Sequence, residues 1–303
     1  MNIVFMGTPD YATIIFRELL EQNYNIIALF TQMDKKVGRR QVLTPPHIKQ
    51  FVLDNGLSLP IYQPQNLKDK ASYEILAKLK PDMIIVAAYG QILPKSILDI
   101  APCINLHASL LPKYRGASPI QEAILNDDKY TGVTAMLMEE GLDSGDILGY
   151  KYLKLTSSME VQDAFNKLSI LAAKLTIEVL KRFDNIKPTK QNNSKVSYCG
   201  KITKNDGIVD FSNAKQLYQK YKAYKFWPGI FLESKLKIIE CTLNEIDSIN
   251  EMGIILEIQK EYIVVGCLKG SIKITQLQAP SKKAILATDY IRGQRLEIGN
   301  YLS

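Results

Sequence analysis

Short apolar runs alternate with helix-like stretches through the first 180 residues of the chain. Runs such as MIIVAA at 83–88 are apolar on both faces, which is typical of parallel strands covered by helices. The pattern therefore predicts an α/β fold with a mostly parallel sheet. The predicted strands are Asn2 to Met6, Ile26 to Thr31, Asp82 to Ala88, Cys103 to His107, Val133 to Met138 and Ile147 to Leu155.

Two helices follow from start signals and spacing. Thr8 can cap a helix that takes Pro9 as its first residue, directly after the first predicted strand. A long helix from about Met159 to Arg182 is predicted by apolar residues that recur every three or four positions, beginning with Val161. Strand, tight turn and helix in this order are the usual opening of an α/β domain.

The pattern changes after residue 183. Residues 184 to 204 are rich in Asn, Lys, Ser and Pro and are interpreted as a basic linker. Beyond it the chain predicts a helix and then short alternating strands, which favour a small β-barrel. The expected domains are 1–183, 184–204 (linker) and 205–303. The later elements are a helix over Ala214 to Tyr221 and strands over Ile230 to Leu232, Lys235 to Leu243, Gly253 to Ile258, Ile263 to Leu268 and Ser271 to Leu277.

Composition indicates a folded protein in a reducing compartment. At 46% hydrophobic residues the chain can bury real cores. No apolar run approaches the length of a membrane span, and the first residues lack the pattern of a signal peptide, so a cytoplasmic location is expected. The four cysteines lie far apart without a C-x-x-C pair, which argues against a zinc site and gives no disulfide framework.

Positive charge is concentrated in two places. The net charge is +7, and residues 181 to 204 carry seven Lys and Arg against one Asp. A second basic cluster consists of Lys35, Lys36, Arg39 and Arg40. Localised positive charge of this kind attracts a phosphate backbone. A solvated linker and a solvated loop remain the alternative interpretation.

A candidate site begins at Asn105 and His107. On one strand, side chains two residues apart project to the same face, so an amide donor and an imidazole would act on one bound atom. Asp143, in the glycine-rich turn 141–146, is the best third group, because a nearby carboxylate would orient the ring and stabilise its protonated form. These groups suit attack of an amine on an acyl carbon, without a covalent nucleophile.

Other interpretations of the same residues stay open. His107 can be a structural histidine, and the acidic turn can be a solvated hairpin or a metal loop. Asp143-x-x-Asp146 lacks the ligand spacing of a calcium loop. Gly7 stands without the rest of a G-x-G-x-x-G motif, which makes a dinucleotide cofactor and hydride transfer unfavourable hypotheses.

Several longer segments resemble the folate-dependent formyltransferases. They are VFMGTPDYA (4–12), AAYGQILP (87–94), INLHASLLPKYRGASPIQEAI (104–124), TGVTAM (131–136) and GLDSGDIL (141–148). KITKNDGIVDF (201–211), FWPG (226–229) and LQAPSKKAILATDYIRG (277–293) resemble the C-terminal domain of the same family. The resemblance covers nearly the whole chain. It implies a Rossmann-like, doubly wound, mostly parallel sheet followed by a small OB-like β-barrel.

The resemblance also implies an activity and its site. The expected reaction transfers a formyl group from 10-formyltetrahydrofolate, a co-substrate, to the α-amino group of methionyl initiator tRNA, with no metal. Asn105, His107 and Asp143 match the family's catalytic positions. Two segments match folate-contacting positions; they are Ser109, Leu110, Leu111 and Pro112, and the pterin-pocket loop Ala88, Tyr89, Gly90, Gln91, Ile92 and Leu93.

The charge map fits the same family. The loop Asp34 to Gln41 is similar to an insertion that reaches the tRNA acceptor stem, with Arg39 at its key arginine. This loop is expected to be mobile without tRNA. The chain departs from the family at Lys222, where an arginine is usual, and at Gln41 and Val42, where lysine is frequent. The residues expected to contact tRNA are Lys35, Lys36, Arg39, Arg40, Lys201, Lys204 and Lys222.

Three alternative functions are retained. Two share the chemistry: a formyltransferase for a small amine such as a nucleotide or amino sugar, and a formyl-folate hydrolase. The third is an RNA-binding protein without catalysis. A small substrate needs neither the basic loop nor the domain after residue 205, and intact Asn105, His107 and Asp143 argue against loss of catalysis. A monomer is expected, because no exposed apolar seam is evident.

Overall fold

The computed structural model describes residues 1–38 and 40–302, which divide into two compact units. The first unit comprises Met1–Pro119, Tyr130–Lys154 and Gln162–Cys199. The second comprises Ile120–Lys129, Leu155–Val161 and the chain from Gly200 onward.

The elements up to residue 199 alternate between strands and helices, as predicted. In chain order they are β1 (Asn2–Gly7), α1 (Asp10–Glu21), β2 (Asn25–Phe30), β3 (Lys35–Val37), β4 (Val42–Thr44), α2 (His47–Asp54), β5 (Ile61–Tyr62), α3 (Lys70–Leu79), β6 (Met83–Ala87), α4 (Lys95–Leu98), β7 (Cys103–His107), β8 (Arg115–Gly116), α5 (Pro119–Leu125), β9 (Tyr130–Leu137), β10 (Ile147–Lys154), α6 (Val161–Arg182) and β11 (Tyr198–Cys199).

The first unit is built on a seven-stranded sheet in the order β10-β9-β7-β6-β1-β2-β5. Strand β1 pairs in parallel with β2 and β6, and β6 pairs in parallel with β7. Strand β9 runs antiparallel to both β7 and β10. The predicted mostly parallel α/β sheet is confirmed. Since β1, β6 and β7 are parallel neighbours, the loops that follow them leave the same edge of the sheet.

The start of α1 corrects one sequence-based prediction. Thr8 does not cap the helix: its Oγ1 donates to the carbonyl of Tyr89 at 3.0 Å, and the residue at the N-cap position is Pro9. The prediction that Thr8 is the cap is therefore wrong. The hydroxyl instead ties the loop after β1 to the loop after β6, a long-range contact that local sequence rules do not contain.

The polar segment after α6 contacts the first unit through its backbone. Thr189 and Ile147 exchange two backbone hydrogen bonds of 2.8 and 2.9 Å, and β11 pairs in parallel with β8. Backbone pairing of this kind needs no apolar pattern, which is why the composition alone reads as a linker. The division into 1–183, 184–204 and 205–303 stays a prediction.

The second unit contains an antiparallel sheet in the order β12-β13-β16-β15-β14, with β17 paired to β16. The alternating strands predicted after residue 205 are confirmed as antiparallel strands; closure into a barrel stays a prediction. The elements are α7 (Ala214–Tyr224), β12 (Ile230–Phe231), β13 (Lys237–Glu245), β14 (Ile255–Ile258), β15 (Ile263–Gly266), β16 (Ser271–Gln278), β17 (Ile285–Leu286) and α8 (Ala287–Gln294).

Within residues 1–38 and 40–302, no helix combines the length and the apolar character needed to span a bilayer.

Candidate active site

Asn105 and His107 occupy alternate positions of β7, between the buried strands β6 and β9. Asn105 pairs in register with Val86 on one side and Met136 on the other. The imidazole of His107 is only 6% exposed, and Asn105 is half-buried. Both side chains are therefore held by the central part of the sheet, where a rigid scaffold fixes their direction.

Asp143 meets both of these side chains from the turn between β9 and β10. Its Oδ1 accepts a hydrogen bond from Asn105 Nδ2 at 3.3 Å, and its Oδ2 lies 3.7 Å from His107 Nδ1. The backbone of Asp143 has a φ of 47°, a left-handed conformation that turns its carboxylate inward. The structure thus brings together the three residues that the sequence singled out.

The other nitrogen of His107 faces the loop that follows β7. Nε2 lies 2.8 Å from the carbonyl oxygen of Tyr114. Because a carbonyl oxygen only accepts, this hydrogen bond places a proton on Nε2. Sequence reasoning did not find the role of Tyr114, since a backbone carbonyl leaves no signal in the residue type.

Gly116 supplies a further hydrogen bond to the carboxylate. Its N–H donates to Asp143 Oδ2 at 2.8 Å. Its φ is +123°, and a Cβ at this position would lie 2.1 Å from the carbonyl oxygen of Cys199 in β11. Only glycine fits between the carboxylate and β11, so position 116 requires glycine for steric as well as conformational reasons.

The segment Ser109 to Pro112 is packed against β9. Thr134 Oγ1 donates to the carbonyl of Ser109 at 2.7 Å and accepts from the backbone N–H of Leu111 at 3.0 Å. The side chains of Ser109 and Leu111 are buried, while Leu110 and Pro112 are half-buried. Any contact of this segment with a ligand would involve the backbone, Leu110 or Pro112.

The loop after β6 divides its side chains between core and surface. Tyr89 and Leu93 are buried among the apolar residues of the sheet core. Ala88, Gly90 and Ile92 are exposed, and the Ile92 side chain is 72% accessible. The loop therefore presents backbone groups and one apolar side chain to solvent.

Gln91 uses its amide to fix this loop. Its Oε1 accepts from the N–H of Leu67 at 3.1 Å, and its Nε2 donates to the carbonyl of Pro64 at 2.9 Å. The side chain is thus engaged within the protein, which makes Gln91 a support of the loop in this conformation.

The second basic cluster lies on a two-stranded hairpin formed by β3 and β4. Lys35 pairs with Thr44 and Lys36 with Leu43, so the loop Asp34 to Gln41, which is expected to be mobile, contains β3 and ends directly before β4. Lys35, Lys36 and Arg40 are exposed. Arg39, the expected key arginine, lies outside the described residues.

A polar network holds the base of this hairpin. Lys49 Nζ donates to both oxygens of Asp34 at 2.9 Å, and Gln63 Nε2 donates to Asp34 Oδ1 at 2.8 Å. The hydrogen bond from Gln63, followed by that from Lys49, holds the pKa of Asp34 below its ordinary value. Gln63 also donates to the carbonyl of Gln32, whose side chain donates to the carbonyl of Tyr89.

The predicted contacts of the second unit fall into two groups. Lys201 and Lys204 are exposed. Lys222 is 3% exposed and donates to the carbonyl of Ser157 at 2.7 Å, and burial lowers the pKa of its ammonium. It lines a cavity of about 230 Å³ together with Asp127. In this arrangement the charge of Lys222 is not presented to a phosphate.

The cysteines give no sign of nucleophilic or metal chemistry. All four lie in the described part of the chain, are buried and form no disulfide, and burial raises the pKa of the Cys103 thiol, which lies in β7, to about 12. Across the described part of the chain, no group of three or more His, Cys, Asp or Glu side chains could hold a metal ion.

Two family models match the chain. The model described as "Formyl transferase" matches residues 1–180, and "Formyl transferase, C-terminal domain" matches residues 201–295. Among the similar proteins, the methionyl-tRNA formyltransferase of Nitratiruptor sp. is 57% identical and covers 99% of both chains. The methionyl-tRNA formyltransferase of Helicobacter pylori is 49% identical over the full length of both.

Solved structures show the same fold at low identity. An N-formyltransferase from Helicobacter canadensis, in complex with folinic acid and dTDP-3-aminofucose, has a TM-score of 0.69 at 19% identity and covers 91% of this chain and 99% of its own. HypX from Aquifex aeolicus, in complex with tetrahydrofolic acid, has a TM-score of 0.65 at 16% identity and covers 95% of this chain and 46% of its own.

Proposed function

This chain belongs to the formyl transferase family, and from that premise we propose that it transfers a formyl group from 10-formyltetrahydrofolate to the α-amino group of methionyl initiator tRNA. The observation that carries the proposal is the convergence of Asn105, His107 and Asp143 in a chain whose full-length relatives bear the name methionyl-tRNA formyltransferase. The reaction supplies formylated initiator tRNA to translation, which places the activity in the cytoplasm.

The chemistry assigned to the three residues follows from where charge develops. The amine nitrogen attacks the formyl carbon, the carbonyl oxygen becomes negative, and the bond from carbon to N10 of the folate then breaks. Asn105 Nδ2 carries two hydrogens. It donates one of them in a hydrogen bond to Asp143, and the other is assigned as a hydrogen-bond donor to the developing oxyanion. The amine loses a proton and N10 gains one, and Asp143 assists that movement.

His107 needs one rearrangement to take part. Its Nε2 is bonded to Tyr114 and its Nδ1 faces Asp143. We assign its protonated ring to the same oxyanion, with the bond to the Tyr114 carbonyl exchanged for one to the substrate. Catalytic hydrogen bonds commonly reach their working geometry only with substrate bound.

The loop after β6 and the segment after β7 are proposed to hold the folate. Both leave the sheet edge where ligands of parallel α/β folds bind. Exposed Ile92 offers an apolar surface, and the backbone of Ala88 and Gly90 offers hydrogen-bonding groups. Tyr89, Gln91, Leu93, Ser109 and Leu111 are assigned a supporting role, because their side chains are buried or bonded to the protein.

The tRNA surface is proposed to include the exposed cations of both units. In the first unit these are Lys35, Lys36 and Arg40 of the hairpin, together with Arg39 on family grounds. In the second unit they are Lys201 and Lys204. Lys222 is left out of this surface because its ammonium is buried and bonded to Ser157.

A direct assay tests the function. Purified full-length protein is mixed with 10-formyltetrahydrofolate and offered charged initiator tRNA, a nucleotide-linked amino sugar, or water alone. The expected result is formylation of the methionyl-tRNA, with little turnover of the amino sugar or of the folate by itself. The matched control is the same tRNA without its methionine.

Efficient transfer to the amino sugar, or release of formate in the absence of any amine, would replace this function by one of the two related activities. Tight tRNA binding without any transfer would point to a non-catalytic RNA-binding protein.

A further inference from the structure

Residues 189 to 199, which we call the strap, contact both the turn that carries Asp143 and the loop after β7 that bonds His107 and Asp143. At one end, Thr189 pairs with Ile147 directly after the acidic turn. At the other end, Ser197 O accepts from the backbone N–H of Arg115 at 2.9 Å, and Cys199 O accepts from that of Ala117 at 3.2 Å. The strap therefore joins the acidic turn to the loop after β7.

Gln191 lies in the middle of the strap and uses both ends of its amide. Its Nε2 donates to the carbonyls of Asp143 and Gly145, each at 2.8 Å. Its Oε1 accepts from Arg115 Nε at 3.1 Å and from Arg115 Nη2 at 2.7 Å. One side chain thus joins the acidic turn to the loop after β7 through four hydrogen bonds.

Arg115 is the partner that makes this link rigid. It is 5% exposed, so its guanidinium is held in a fixed place in the protein. Its neighbours in sequence hold the site directly: the carbonyl of Tyr114 bonds His107, and the N–H of Gly116 bonds Asp143. The position of Arg115 therefore sets the position of both.

Only a side-chain amide meets both demands at residue 191. The two carbonyls of the turn need a donor, and the guanidinium needs an acceptor. A glutamate would accept from Arg115 but would face the carbonyls of Asp143 and Gly145 with negative charge. A leucine of similar size would satisfy neither partner.

We propose that Gln191 is a positioning residue for formyl transfer, which fixes Asp143 and His107 relative to each other by joining the turn at 143–145 to the loop at 114–116. This inference rests on the proposed function for its catalytic consequence. Gln191 stands in a polar, low-complexity stretch, so nothing in the residue pattern around it indicates such a role.

Two variants test the proposal, Gln191→Leu and Gln191→Glu, in the full-length protein. Because displacement of catalytic groups by about 1 Å costs on the order of 10²-fold, we expect kcat to fall roughly 10- to 100-fold in both. The KM values for the folate and for the tRNA should stay within about two-fold, since Gln191 touches neither substrate. Gln191→Glu keeps the partner of Arg115, so it provides a folded variant if Gln191→Leu fails to fold.

A second readout follows from the histidine content. The chain has two histidines, His47 and His107, so its histidine-labelled NMR spectrum is simple to assign with a His47→Gln variant. Both Gln191 variants should shift the ring resonances of His107 and leave those of His47 in place. Gln162→Leu makes the same substitution at an exposed position of α6 and should change neither kcat nor the His107 resonances.

Unchanged kcat in both variants, a rise in KM alone, or unmoved His107 resonances would each overturn the proposal. If the wild-type protein does not formylate methionyl-tRNA, the proposed function fails independently. The His107 resonances then still decide whether Gln191 positions this ring.

Discussion

At the residue scale, the candidate site depends on a small number of donors and acceptors held around one carboxylate. Asp143 accepts from Asn105 and Gly116 and faces His107, so it has partners on both of its oxygens. Asn105 and Asp143 are arranged in this way before substrate arrives, so they need little reorganisation when charge develops, whereas His107 must first exchange its bond to the Tyr114 carbonyl. Removal of any one of the three side chains is therefore expected to displace the other two and to lower the rate of formyl transfer.

Asn105→Ala and His107→Ala are each expected to lower kcat on the order of 10²- to 10⁴-fold, because each loses a donor to the developing oxyanion. The affinity for tRNA should change little. Steady-state formyl transfer and tRNA binding, measured on the same preparations, check both statements. His47→Gln, the matched change at the other histidine, should keep full activity. Turnover near the wild-type value in Asn105→Ala or His107→Ala would contradict the assignment.

At the element scale, the hairpin and the strap attach to the sheet through polar contacts. The hairpin has exposed residues on both of its strands, and its base is held by Asp34, Lys49 and Gln63. Since few apolar contacts hold such an element, its order depends on the ionised state of Asp34 and on the amide of Gln63.

Gln63→Leu is expected to raise the pKa of Asp34 toward its ordinary value of 3.8, because the hydrogen bond from Gln63 is the largest cause of the lowering. Because the pKa of Asp34 is lowered in the folded state, its ionised form stabilises the hairpin base. This contribution is fully present at pH values above the ordinary pKa of 3.8. That contribution is lost as the pH falls through the lowered folded pKa. Titration of the Asp34 carboxyl carbon by NMR measures this, and Lys49→Met, which removes a hydrogen bond and a positive charge, should also raise the pKa of Asp34. If Asp34 titrates in Gln63→Leu as it does in the wild type, Gln63 does not lower the pKa of Asp34 and this prediction is wrong.

Lys35→Ala, Lys36→Ala and Arg40→Ala are each expected to weaken tRNA binding and to reduce the slope of log Kd against log salt by about one unit, since each exposed cation is proposed to contact one phosphate. The KM for the folate should not change. Binding titrations at several salt concentrations measure the slope. Lys78→Ala, on the exposed side of α3, is the matched control and should leave the slope as it is. If all three variants keep the wild-type slope, the hairpin does not contact tRNA.

At the scale of the whole molecule, positive charge is distributed over both compact units. The hairpin cations belong to the first unit, and Lys201 and Lys204 belong to the second. Phosphates of a long polyanion such as tRNA are the usual partners of many exposed cations, whereas a small substrate needs few of them. The charge map therefore favours a nucleic acid as the second substrate.

The double variant Lys36→Ala with Lys204→Ala should lower tRNA affinity by the product of the two single effects. Contacts to separate phosphates are independent, so their free energies add within about 0.5 kcal/mol. Binding titrations of the two single variants and the double variant at one salt concentration test this. Lys283→Ala, an exposed change in the second unit, serves as the control. A double variant that binds as tightly as the weaker-binding of the two single variants would mean that only one of the two lysines contacts tRNA.

The sequence determined the helices and strands and part of the site, because both depend on the spacing of apolar and polar residues that lie close together in the chain. Strand β7 begins and ends where the apolar run predicts, and Asn105 and His107 share a face because strand side chains alternate. Asp143 was selected as their partner from its place in the glycine-rich turn, and the resemblance to the formyltransferases matched it to a catalytic position. The antiparallel strands after residue 205 also follow from local alternation.

Only the tertiary structure decided which distant backbone groups complete the site. The carbonyl of Tyr114, the N–H of Gly116 and the amide of Gln191 contact groups 7, 27 and 48 residues away along the chain, and the types of these residues carry no sign of their partners. The same holds for Thr8, which bonds Tyr89 instead of capping α1, and for Lys222, whose charge is buried. Hydrogen bonds between segments far apart in the chain depend on how the elements pack, and spacing along the sequence does not encode that packing.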